Sequence, residues 1–313
     1  MQPYYIAAIV ISVVLLLLFL FACLIYIFAF GKRIDKNPSF KYFTAEDFSL
    51  TAQPVALSDG LNGFIYGKGE PKKDKLIIFC HGMGAGHIAY TTEIAYFCNL
   101  GYTVLAVDSF GCNFSEGKRI KGMYSGVRTA VSAVDYAKSL YPSQKVWLIG
   151  HSWGAYSALC ASTERKVDGV VAISSPLTPS KTIQQASARI ISKPFSAILR
   201  PFLWFVNFLT YGKNGNKNAA KCAIKSGVPT LLIHGDKDKV VPIKGSAFAK
   251  ANGKNITKLI AEGKSHNPYN TANAEKLLAR LFSLKDFSEF DFKGATEEDE
   301  EVMRAVADFI SEN

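Results

Sequence analysis

The chain has 313 residues, 49% hydrophobic and 20% charged, with a formal net charge of +10 at pH 7. Those values exclude a disordered, collagen-like or disulfide-framework protein. They allow one large domain or two small ones.

The first element is apolar. Residues 4–30 are 27 positions without a charge. About 20 helical residues suffice to cross a bilayer core at about 1.5 Å each. Tyr4, Tyr5 and Tyr26 lie near its ends, where amphipathic rings favour the interface. A cleaved signal peptide would need a basic start and a shorter apolar core. Leu20-Phe21-Ala22-Cys23 loosely matches a lipoprotein cleavage site, but apolar residues continue past it. The expectation is an uncleaved, single-pass transmembrane helix over 4–30, then a linker over 31–44. Lys32, Arg33, Lys36 and Lys41 flank it on one side against Asp35 alone, while Met1-Gln2-Pro3 carries no charged side chain. Positive flanks stay cytoplasmic, so residues 45–313 are expected to face the cytoplasm.

Past the linker, short apolar runs alternate with helix-like stretches, the signature of a mainly parallel sheet with helices on both faces. Strands are predicted at 76–80, 102–107, 145–149, 167–173, 230–234 and 257–260, with one or two antiparallel edge strands within 51–66. Helices are predicted at 91–100, 125–140 and 300–310. The gap between the fourth and fifth of the parallel strands is too long for a plain crossover. Residues 177–227 there hold Lys181, Arg189, Lys193, Arg200, Lys213, Lys217, Lys221 and Lys225 and no acid. The segment is also aromatic, with Phe195, Phe202, Trp204, Phe205, Phe208 and Tyr211. It is expected to form a cap over the strand ends, with Pro194 and Pro201 breaking any long helix. With no nucleic-acid motif nearby, an anionic membrane surface or substrate suits this basic segment, against a merely solvated surface. Cys80, Cys98, Cys112, Cys160 and Cys222 form no C-x-x-C pair, and free buried thiols are the simplest account.

Gly150-His151-Ser152-Trp153-Gly154 follows a predicted strand and opens a helix. A serine on such a turn exposes its hydroxyl, small residues two places either side relieve crowding, and the helix N-terminus faces developing negative charge. The hydroxyl needs a base, and the base an orienting carboxylate. Among His81, His87, His151, His234 and His266, the last follows the final strand, and Asp236 and Asp238 occupy the turn after the fifth. The order serine, acid, histidine is met by Ser152, Asp238 and His266. His81-Gly82-Met83-Gly84-Ala85-Gly86 follows a strand, and its glycines let the backbone come close. The Met83 and Trp153 amides are the candidate oxyanion donors. A phosphate cradle is the rival, but the spacing fits neither G-x-G-x-x-G nor a Walker lysine pattern.

These motifs resemble the α/β-hydrolase superfamily, in its branch of serine aminopeptidases and monoacylglycerol-lipase-like enzymes. H-G-x-G is matched by His81, Gly82 and Gly84. D-x-x-G-x-x-x-S is matched by Asp108, Gly111 and Ser115, although Asn113 stands where many relatives carry glycine. The elbow is matched by Gly150, Ser152 and Gly154, and G-x-x-H by Gly263 and His266. H-G-x-x-D-x-x-V-P is matched by His234, Gly235, Asp238, Val241 and Pro242, which selects Asp238 over Asp236. The resemblance implies two-step acyl transfer without metal or cofactor, and a variable cap at about 177–227. The expected substrate is a lipid-like or amphiphilic carboxylic ester. A peptide at a serine aminopeptidase or a thioester is the alternative, and a non-catalytic membrane-tethered binding scaffold lies further off.

Overall fold

A computed structural model describes residues 2–69, 73–84, 86–281, 283–284 and 286–313. The chain begins with helix α1 (Pro3–Phe30). Strands β1 (Thr51–Ala56) and β2 (Asn62–Gly67) form the antiparallel edge, and β3 (Lys75–Cys80) starts the parallel part. Then come α2 (Thr91–Asn99), β4 (Thr103–Val107), α3 (Tyr124–Leu140) and β5 (Lys145–His151). Helix α4 (Trp153–Ala161) leads to β6 (Gly169–Ile173). The segment expected as a cap holds α5 (Pro179–Ser187), α6 (Lys193–Tyr211) and α7 (Ala219–Ser226). Strand β7 (Thr230–Gly235), α8 (Ala247–Lys250), β8 (Ile256–Ala261), α9 (Ala272–Leu281) and α10 (Glu300–Glu312) complete the chain. The sheet order is β1-β2-β4-β3-β5-β6-β7-β8, with β2 antiparallel to β4 and β3 to β8 otherwise parallel.

Strand chemistry explains the two-faced core. All six residues of β3 are buried. Leu76, Ile78 and Cys80 point into one core with α3 and α4, whereas Ile77 and Phe79 join the other with α2 and α10. Continuous apolar runs are what a parallel strand covered on both faces requires. The strand expected at 167–173 is shorter and begins at Gly169; Asp168 just before it meets Val146 with both its groups, the carboxylate accepting from the Val146 amide (2.8 Å) and the Asp168 amide donating to the Val146 carbonyl (2.8 Å).

The prolines do not break the basic segment as expected. Helix α6 runs 19 residues. Pro194 lies in its first turn, where the missing N–H has no intrahelical partner anyway, and the Ser192 hydroxyl caps the Phe195 amide. Pro201 is inside, and packing against α1 and α5 outweighs one lost backbone bond. Phe205 and Phe195 meet Phe19 and Phe21 of α1 at ring distances of 5.9 and 5.8 Å.

Helix α1 is therefore part of the fold. Ala22, Tyr26 and Phe30, spaced four apart, are buried in the larger core. Tyr26 Oη donates to the Lys121 carbonyl (2.8 Å). Gly122, at φ +144°, leaves room for that phenol, because a Cβ there would lie 2.2 Å from it. Just beyond the helix, Arg33 donates to the carbonyls of Asn113, Ser115 and Gly117. Asn113 adopts φ +36°, the backbone that a glycine would provide in this turn.

Behind the sheet edge, buried Glu93 on α2 and half-buried Glu298 before α10 have carboxyls raised above the usual range. Burial is the first cause for both, and the charge of Glu93 adds to it at Glu298. Glu298 Oε1 is shut off from water with no hydrogen-bond partner among the described residues. Both groups hold protons to higher pH when folded than when unfolded. Their contribution is full at low pH and declines as pH rises above about 4.5 toward the raised values. The melting temperature should fall from pH 5 to 8.5, and Glu298→Gln should flatten that fall and melt higher at pH 8.5. Thermal melts of both proteins in detergent check this, and parallel losses would count against it.

Candidate active site

Ser152 joins β5 to α4 with φ 54° and ψ −115°. Few residues tolerate that left-handed backbone, and it persists only where the surroundings enforce it. Two glycines allow the enforcement. A Cβ at Gly154 would lie 1.9 Å from the Cys80 carbonyl oxygen, and one at Gly150 would lie 2.4 Å from the backbone of Gly154. The Ser152 amide donates to the Ile173 carbonyl (2.8 Å), which holds the elbow on β6.

The hydroxyl so exposed is 2.9 Å from His266 Nε2, and His266 Nδ1 is 2.8 Å from Asp238 Oδ2. His266 comes from the loop after β8 and Asp238 from the turn after β7, so three parallel strands deliver the three groups. Asp238 Oδ1 accepts from the amides of Val240 (2.7 Å) and Val241 (2.8 Å), which aims Oδ2 at the imidazole. Burial would push this carboxyl up, but hydrogen bonds from His234 and His266, the charge of His266 and the Val241 amide outweigh it and hold it well below the usual range. Asp236 points elsewhere, accepting from the Gly263 amide (2.7 Å). A serine, imidazole and ionised carboxylate so linked can move the serine proton and stabilise the imidazolium that forms.

His151 was visible in the elbow motif without a role. Its Nε2 donates to the His266 carbonyl (2.9 Å), and its Nδ1 accepts from Tyr90 Oη (2.9 Å). Burial first, then the charge of His266, pushes its pKa down to about 3, so the ring is neutral and can serve both partners. Tyr90 Oη in turn accepts from the Gly82 amide (3.0 Å). One buried chain thus ties the His266 loop to the glycine-rich loop, a role invisible in sequence because it needs four separate segments. His81 accepts at Nε2 from the Ser109 amide (2.9 Å) and packs edge-on against Trp153. His87 instead binds Asp108 (2.9 Å) and Tyr66 (2.9 Å), bracing the loop from behind.

Met83, beside Gly84, and Trp153 flank the elbow. Their backbone amides have no hydrogen-bond acceptor among the described residues. Met83, Ser152 and Trp153 border one cavity of about 650 Å³. Its described walls hold no acid, and Arg189 is their one charged residue. Part of the wall belongs to α1, which sequence reasoning took for a tether. The four-residue spacing of Ala22, Tyr26 and Phe30 is the available signal.

Comparison with known proteins agrees with this fold. A family model described as alpha/beta hydrolase fold matches residues 75–197. A monoglyceride lipase homolog of Monkeypox virus is 23% identical over 236 residues, covering 64% of this chain and 85% of its own length. Human monoglyceride lipase is 33% identical over 99 residues, so the match spans about a third of it (32%) and 31% of this chain. The structure of an esterase from Pyrococcus furiosus superposes with a TM-score of 0.59 at 21% identity, covering 80% of this chain and 97% of that one. The chain has the α/β-hydrolase fold, and the match over residues 75–197 supports a place in that superfamily. Within it, this protein is a serine hydrolase of the esterase and lipase type.

Gly154→Ala should be among the most damaging small substitutions. Overpacking a close-packed site costs typically about 1–3 kcal/mol, and a backbone oxygen cannot rotate away as a side chain can. Denaturant unfolding of the variant should show a midpoint clearly below wild type. An unchanged midpoint would mean that α4 does not press on β3 as described.

Proposed function

We propose that the protein hydrolyses carboxylic esters of lipid-like or amphiphilic compounds at a membrane, with Ser152 as nucleophile, His266 as base and Asp238 as orienting acid. The observation that carries this reading is the pair of 2.9 and 2.8 Å contacts on a strained elbow at the wall of an apolar cavity. Ser152 Oγ attacks the ester carbonyl as His266 Nε2 takes its proton. The same proton then goes to the departing alcohol, leaving an acyl-enzyme. Water, deprotonated by His266, attacks that carbonyl, and the serine leaves with its proton restored. The unpaired Met83 and Trp153 amides suit the oxyanion, each worth about 3 kcal/mol.

The cavity favours esters over peptides. An aminopeptidase holds its substrate's ammonium with an acid, and the described walls contain none. The monoglyceride lipase relatives point the same way, toward an acyl ester of a small polyol. A thioester would use the same machinery, and a substrate panel separates the two.

Membrane attachment is the second part of the proposal. Helix α1 is long and apolar enough to cross a bilayer, a test that a signal sequence also passes. Leu18 begins its contact with the rest of the chain, and Pro3–Leu17 is exposed throughout. Those 15 residues span about 22 Å, less than the core thickness of about 30 Å. The remainder is supplied where α6 crosses α1, exposing Ile198, Trp204, Phe208 and Leu209. Exposed Lys193, Arg200 and Lys213 on the same segment suit anionic headgroups. Lys217 does not, because Glu164 pairs with it at 2.5 Å. The basic flank of α1 favours the cytoplasmic side for the hydrolase domain.

A fluorophosphonate probe should label the full-length protein, and Ser152→Ala should abolish labelling. Asp238→Asn should lower kcat by about 10⁴-fold, whereas Asp236→Asn should leave most activity. A folded wild type that neither labels nor cleaves esters would refute the enzyme assignment, and the reverse order of the two Asp variants would refute the choice of acid. For topology, a protease added outside intact cells should spare a reporter fused after Asn313. Its digestion would place the domain on the other side.

A further inference from the structure

We infer that α1 is one wall of the acyl-binding groove, and that a long-chain acyl substrate reaches Ser152 sideways from the bilayer along this helix. The inference rests on the ester-hydrolase reading above and names the substrate class more narrowly. It starts from a division of labour between two faces of α1. Ala22, Tyr26 and Phe30 dock the helix, through the Tyr26 bond to Lys121 and the tight fit at Gly122. A second stripe, Phe21, Leu24, Ile25 and Phe28, borders the cavity that contains Ser152, joined at the helix end by Ala29 and by Phe30 of the docking face. Spacings of three, four and seven put those four side chains on one helical face. A helix that only tethered the domain would not need a wall-forming face.

The opposite wall repeats the pattern. Ile183 and Ala186 of α5, three residues apart, and Ile190 in the turn just past its end border the same cavity. The site is therefore a trough between two helices with Ser152 in it. The trough is open on its flank, where Leu24 is 63%, Phe28 78% and Ile190 78% exposed. An exposed apolar rim on a helix that crosses a bilayer faces hydrocarbon. An acyl chain lying against Phe21 through Phe28, about 10 Å of helix, would pass from lipid to the serine without crossing water. Its ester would meet Ser152 while the polar end stays toward the headgroups. Because Tyr26 and Arg33 fix α1 to the body, the wall keeps a constant distance from the reacting oxygen.

The experiment uses full-length protein in phospholipid vesicles with palmitoyl and butyryl glycerol esters. Leu24→Trp, which fills the trough, should lower the palmitoyl-to-butyryl ratio of kcat/KM at least tenfold. Leu24→Ala, milder to fold, should move the same ratio in a measurable way. Ile11→Trp, on the exposed half of the same helix, should leave the ratio within twofold of wild type. In parallel, Ser152→Ala protein is exposed to a palmitoyl ester bearing a terminal diazirine. After irradiation, peptides containing residues 21–28 should carry the label. Ratios that do not respond to position 24, or crosslinks confined to other segments, overturn the inference. If the wild type cleaves no ester and no fluorophosphonate reacts, the ester-hydrolase reading fails instead, and the crosslinking result still decides whether the chain lies on α1.

Discussion

Helix α4 begins against the end of β3, so close that Gly154 has no room for a side chain beside the Cys80 carbonyl. That contact forces the chain to leave β5 through a left-handed residue, and the residue is Ser152. A helix set further from the sheet would let the turn relax and lower the hydroxyl toward the core. With the turn held, the hydroxyl stands clear and the first amides of α4 face the same space. The apposition of β3 and β5 also fixes the glycine-rich loop beside the elbow, because that loop is the direct continuation of β3. Strand order then does the rest: β7 and β8, farther along the sheet, deliver Asp238 and His266 from the side.

The second constraint is electrostatic, and it concerns which buried groups are charged. Asp238 can stay ionised out of water because donors converge on it from Val240, Val241 and His266. His151, equally buried, has the opposite solution and stays neutral. A protonated ring there would press a second positive charge on His266 whenever that imidazole carried a proton. As a neutral bridge between Tyr90 and the His266 carbonyl, it holds the loop without that repulsion. Two of the other three histidines act as braces: His81 under the elbow and His87 behind the glycine-rich loop, each held by local polar partners.

Parts of this were legible in the sequence because their causes are local. The glycines at 150 and 154 mark a crowded turn by spacing alone. The choice of Asp238 over Asp236 follows from a short pattern, and in three dimensions Asp236 is engaged with the Gly263 amide. The parallel strands could be read from unbroken apolar runs. What was not legible has non-local causes. The 19-residue α6 survives two prolines because α1 and α5 pack against it, and no window of sequence contains that information. His151 gains its role from Tyr90 and His266, residues 61 and 115 positions away. Helix α1 was the deepest of these cases: a run apolar on every side hides which face touches protein, since the composition suited to lipid also suits a core.

That ambiguity bears on how anchoring and catalysis can be separated in this chain. In a tethered enzyme with a flexible linker, the anchor can be exchanged without touching the site, because only effective concentration changes. Here residues just past α1 are bound to the turn at 111–117, and Phe30 is itself part of the core. On the proposed reading of α1 as an anchor, it could not swing, and a bilayer would fix the orientation of the cavity as well as its location. Removing α1 would take away one wall of the trough and expose the buried partners of Ala22, Tyr26 and Phe30 to water. The helix is therefore constrained by packing on one half, and on the proposed reading by lipid on its free half and by substrate along the trough. Substitutions neutral for insertion need not be neutral for the site, because the two demands fall on different faces of the same turns.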